Sequence, residues 1–146
     1  MMLERMFQAV HGHLGLLAGA ALVHPALILR RGKPLSRRNR WAIALAALFT
    51  CVAFGSGLFI YGSYRSQVKR QLFQASARSG LIFETKEHLG FMVLCLCMGA
   101  AVAALVAPRD AQELRRACAG VFGLAAILCF LVSALGTYVT AVQGFF

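Results

Sequence analysis

The stretch Phe7–Leu29, FQAVHGHLGLLAGAALVHPALIL, is an apolar run closed abruptly by Arg30-Arg31-Gly32-Lys33-Pro34. A helix crosses bilayer hydrocarbon in about 20 residues at a rise of about 1.5 Å each, so this run is long enough to span. Three more runs follow: Trp41 to about Tyr64, about His88 to Val106 ahead of Pro108, and about Ala117 to Tyr138. Trp41 at one end of the second run, and Tyr61 and Tyr64 at the other, suit the two membrane interfaces, where amphipathic rings are favoured. The first run has the position of a cleavable leader. Glu4 and the interruptions at His11, His13 and His24 are wrong for one, and the run is expected to be retained. The expected fold is all-α: an integral membrane four-helix bundle forming a single transmembrane domain over 1–146, with spans at about 7–29, 41–64, 88–106 and 117–138.

Composition agrees with lipid as the solvent. Of 146 residues 60% are hydrophobic, and the mean hydropathy is +0.71. A soluble domain of this size leaves too large a share of its surface exposed to hide so much apolar area. The charge of +10 comes from 15 Lys+Arg against 5 Asp+Glu. These cations fall in the short gaps between apolar runs rather than in a stripe with interleaved aromatics, which argues against a nucleic-acid partner. Loop one (Arg30, Arg31, Lys33, Arg37, Arg38, Arg40) and loop three (Arg109, Arg115, Arg116, with Asp110 and Glu113) together carry nine. The other side carries six, from Arg5, Arg65, Lys69, Arg70, Arg78 and Lys86. The positive-inside rule then places loops one and three in the cytoplasm and both termini on the non-cytoplasmic side, as in a bacterial inner membrane.

Loop two, Arg65–Glu87, has room for structure of its own. Val68, Leu72 and Ala75 recur at helical spacing with Lys69, Arg70 and Gln74 elsewhere on the wheel, which predicts an interfacial amphipathic helix between spans two and three. In lipid, helices associate by close approach through small residues. Gly12, Gly15 and Gly19 on span one, Gly55, Ser56 and Gly62 on span two, and Gly120, Gly123 and Ala126 on span four are the expected contact ridges. Pro25 is expected to bend span one unless neighbours re-satisfy the freed carbonyl. Cys51, Cys95, Cys97, Cys118 and Cys129 all lie in or at the edge of apolar runs without a C-x-x-C, and read as small packing residues.

All four histidines lie in or at the edge of spans, where ionisable groups are costly enough to suggest function. His11 and His13 sit near the outer start of span one, and His88 opens span three, which runs in the same direction. If those spans sit diagonally, His13 and His88 face a shared interior at one depth, the arrangement that bis-histidine ligation of a haem requires. His24 lies eleven residues after His13 on nearly the same face, with no second histidine at its level. A different set, His11, His13, Glu84, Glu87 and His88, offers mixed N/O ligands for a transition metal such as Zn, Fe or Cu. A third reading makes the same residues ordinary interfacial groups bonded to carbonyls or lipid phosphate. No Ser-His-Asp order or nucleotide loop supports a hydrolase or NTPase.

Through the His11-x-His13 pair on span one, the His88 that opens span three and the adjacent glycines, the chain resembles small bacterial four-helix membrane b-type cytochromes. The resemblance implies one haem b near the outer face, with His13 and His88 as ligands, and electron transfer between a quinone and another redox partner. The competing expectation is a non-catalytic accessory or scaffold subunit that packs against protein partners in a larger membrane complex or homo-oligomer, its basic loops attracting anionic lipid.

Overall fold

A computed structural model describes the backbone of residues 2–143, and the side chains of residues 6–142 apart from 63, 67 and 75. The side chains of Arg5, Ala75 and Gln143, and residues 144–146, lie outside the described residues. The chain forms α1 (Met2–Leu29), α2 (Arg37–Ser63), a π-helical turn (Tyr64–Lys69), α3 (Arg70–Ala75), α4 (Ala77–Val106) and α5 (Gln112–Gln143). Four of these helices are long and apolar enough to cross a membrane: within them the qualifying stretches are Met6–Leu29, Arg37–Gly62, Ala77–Val106 and Gln112–Val142.

Each long helix extends beyond the apolar run that marks it in the sequence. The second begins at Arg37 rather than Trp41 since the Ser36 hydroxyl accepts the Asn39 N–H at 3.2 Å, capping an orphan donor. The first ends where Gly32, at φ +66, takes the left-handed conformation and returns its N–H to Leu29 O. Pro25 is buried inside α1, which continues through it to Leu29.

The largest correction concerns loop two. The chain does not leave the helix at Tyr64 and re-enter at His88; α2 runs on into the π-helical turn, and α4 already starts at Ala77. Ser76, extended at φ −163, separates α3 from α4. Val68 and Leu72, two members of the expected amphipathic stripe, are buried against Phe83 and Val139 of the protein itself. Gly80 lets the Phe73 ring lie against the α4 backbone, where a Cβ would collide with it.

Packing follows a ring order: α1 lies against α2 and α5, and α4 against the same two, which leaves α1 and α4 diagonal. The main core is built from Ala18 and Leu22 of α1, Ile43 and Ala53 of α2, Cys97 and Ala100 of α4, and Phe122 and Cys129 of α5, among others. Close approach rests on only part of the expected glycine ridges. A Cβ at Gly15 would stand 3.3 Å from Ser133 Oγ, and one at Gly19 3.0 Å from the Phe130 ring, so those two admit α5. Gly12, Gly55, Gly62, Gly120 and Gly123 have, among the described residues and apart from their own stretch of helix, nothing within 4 Å of that position. Buried alanines, Ala100, Ala101 and Ala104 on α4 and Ala125 and Ala126 on α5, do much of the work expected of them. Alanine gives nearly the same approach while favouring the helix by about 1 kcal/mol over glycine.

The outward faces are apolar. Phe59 is 75% exposed and Ile127 67%, and no more than 33% of any of the four apolar windows is buried. A water-facing helix would carry polar residues there. At the end that holds the two short loops, Arg115 is only 2% exposed. It donates from Nε to Gly32 O (2.9 Å), from Nη1 to Pro108 O (2.7 Å) and from Nη2 to Arg109 O (2.8 Å), while Arg40 donates to Leu105 O at 3.0 Å.

Candidate functional site

The opposite end gathers the residues singled out for chemistry. Ser56 on α2 donates its hydroxyl to Ala53 O at 2.7 Å, so its oxygen is left to accept. His11 Nδ1 lies 2.9 Å from that oxygen and 3.1 Å from Ala53 O, and therefore carries the proton. The imidazole clips α1 to α2, and Gly57 makes room: a Cβ there would stand 2.8 Å from the ring's Cε1.

His13 and His88 behave alike. His13 Nδ1 donates to Ala9 O at 2.7 Å and His88 Nδ1 to Glu84 O at 2.8 Å, each to the carbonyl one turn back on its own helix. Both residues are exposed, on the diagonal pair α1 and α4. His24, further along α1, is exposed as well. Among the described residues, no three His, Cys, Asp or Glu side chains gather as a metal site. The mixed set of His11, His13, Glu84, Glu87 and His88 is therefore not assembled, and the two carboxylates meet a lysine instead.

That lysine is Lys69, at the end of the π-helical turn, whose Nζ lies 2.8 Å from Glu84 and 3.9 Å from Glu87. The hydrogen bond it donates to Glu84 raises the pKa of the ammonium above the ordinary lysine value. The other carboxylate oxygen of Glu87, Oε1, is buried without a hydrogen-bond partner. Lys86 points its Nζ over the Phe83 ring at 4.8 Å and the Tyr64 ring at 5.5 Å, and those rings stack on one another at 5.7 Å between centroids. Burial pushes the Tyr64 phenol up, against a hydrogen bond with Thr140 that pulls it down.

Sequence reasoning passed over Lys69, Lys86 and Tyr64, treating the first two as topology charges and the third as a belt residue. A signal was present for one of them. Phe83 and Lys86 are three apart and Glu84 and Glu87 likewise, which places each pair on one face if the helix already runs there. Reading 65–87 as a loop hid that register.

Chemically, the cluster is a tie between elements. It combines an imidazole bond, a lysine bridging two carboxylates and a second lysine on stacked rings, and it joins α1, α2, the π-helical turn and α4. Comparison with protein-family models, with characterised proteins and with solved structures finds no match to this chain.

Proposed function

We propose that this protein is an integral membrane four-helix bundle that serves as a non-catalytic accessory subunit, its apolar outer faces packing against lipid and partner helices. The four long apolar helices support the membrane reading. The distribution of loop cations supports a bacterial inner membrane, loops one and three on the cytoplasmic side and both termini on the other. In this reading α3 and the π-helical turn lie along the outer interface, with Arg65, Arg70 and Gln71 exposed to headgroups. The observation that carries the accessory role is the engagement of His11, Lys69, Lys86, Glu84 and Glu87 in tying the protein's own elements together.

One observation favours the electron-transfer reading as a second. His13 and His88 each spend Nδ1–H on a backbone carbonyl, which leaves Nε2 to ligate, as haem- and metal-bound imidazoles commonly do. A haem b held there, exchanging electrons with a quinone, is the alternative function. Metal analysis and a dithionite-reduced minus oxidised spectrum of the purified protein separate the two. A colourless, metal-free preparation supports the accessory subunit. Bands of b type that vanish in His13→Ala or His88→Ala overturn it in favour of electron transfer.

A further inference from the structure

At the end away from the histidines, Pro34, Leu35, Arg40, Ala107, Arg109 and Arg115 enclose a cavity of about 140 Å³. Three of its six walls are arginines and none is acidic. Arg115 is buried, and among the described residues the ion pairs are Lys69 with Glu84 and Glu87 and Arg116 with Glu113, which leaves Arg115 without a carboxylate partner. A buried cation is costly unless its charge is answered. Backbone carbonyls take three of its five N–H groups and answer that charge only with dipoles. Two N–H groups remain, and Arg40 and Arg109, whose side chains are exposed, line the same cavity. Arg115 also sits in the first turn of α5, where the helix dipole favours negative charge.

We propose that this cavity is a binding site for a phosphate-class anion, held by Arg40, Arg109 and Arg115. The volume suits that class: at about 30 Å³ per water, it offers the room of four or five waters, enough for a tetrahedral oxyanion. Guanidinium forks match phosphate oxygens in pairs. The anion has two sources. It is the headgroup phosphate of an anionic phospholipid in the adjoining leaflet, which rests on the membrane reading above, or it is free phosphate from the aqueous side.

The test uses the purified full chain in an uncharged detergent, with thermal unfolding followed by circular dichroism. One arm adds inorganic phosphate against chloride at equal ionic strength. The other adds phosphatidylglycerol against phosphatidylcholine. A saturable rise of about 3 °C or more in either arm, lost in the double variant Arg40→Gln/Arg109→Gln, supports the site. A rise in the lipid arm alone identifies the headgroup as the source, and a rise with inorganic phosphate identifies a free anion. No rise in either arm, or a rise of the same size in the double variant, overturns the proposal. Both variant positions lie at the surface, and each comparison is made within one protein, so altered basal stability does not blur the result. Solubility without detergent would sink the membrane reading while leaving the phosphate arm decisive.

Discussion

The two ends of the helical array solve one problem, holding helices in place, with different chemistry. At the short-loop end α1 and α4 both finish, so unpaired carbonyls collect there, beside the N-termini of α2 and α5. Arginine answers them: Arg115 takes the carbonyls of Gly32, Pro108 and Arg109, and Arg40 takes that of Leu105. At the other end α2 does not stop but continues into the π-helical turn. Side chains tie that end to one another, through His11 on Ser56, Lys69 on Glu84 and Lys86 over two rings. A fastening made to backbone is dictated by where helices end. One made between side chains depends on register, and so on residues distant in sequence.

The contrast predicts a graded set of losses, each readable as a shift in unfolding midpoint in detergent. Arg115→Met strands three carbonyls and should destabilise by about 3 kcal/mol, since bonds to a charged donor are worth about 1.5–3 kcal/mol each and water recovers part of the loss. The exposed neighbour Arg116→Met should move stability by less than about 0.5 kcal/mol. Equal effects from the two would show that the buried guanidinium is not a fastening. Gly57→Val drives a methyl group into the space of the His11 ring and should cost about 2 kcal/mol, the scale of overpacking. That penalty should shrink in a His11→Ala background, and its persistence there would break the link between the two residues. His11→Ala alone loses one hydrogen bond and should cost about 1 kcal/mol, and the loss from Ser56→Ala should be smaller once His11 is gone, since only its bond to Ala53 O is then at stake.

The smallest effect is on pH dependence. Lys69 and Tyr64 both hold their protons more tightly in the folded state, Lys69 through Glu84 and Tyr64 through burial. These two groups therefore hold more protons in the folded protein than in the unfolded one at alkaline pH, and their contribution to stability falls as pH rises. The contribution is complete below the ordinary lysine and tyrosine values and is lost through the raised ones. Lys69→Met should flatten this alkaline limb and remove the contact's modest contribution at neutral pH. An unchanged slope would mean that the Lys69 to Glu84 contact does not persist in solution.

How much of this was legible in the sequence differs between particular residues. Four apolar runs, each bounded by charges, announced four long helices, because length and hydropathy are local properties. Ser36 and Gly32 were readable as cap and stop, yet the charged run at 37–40 masked the cap, since a helix that projects past hydrocarbon tolerates arginine. Glu84 and Glu87 were read as metal ligands because their partner, Lys69, lies on another element, 15 residues before Glu84. The diagonal placement of spans one and three agrees with the condition set for facing histidines, but His13 and His88 are exposed at the surface of their helices, and His11 turns to α2 instead. The cavity among Arg40, Arg109 and Arg115 had no sequence signature at all.

The order of residues alone determined where the chain is apolar enough for lipid and where its cations cluster, since each depends on composition over a few turns of helix. Tertiary structure decided which imidazole faces a neighbour, which lysine meets a carboxylate and which arginine is buried. Those outcomes depend on the rotation of each helix about its axis, which is set by alanine and glycine contacts between segments far apart in the chain.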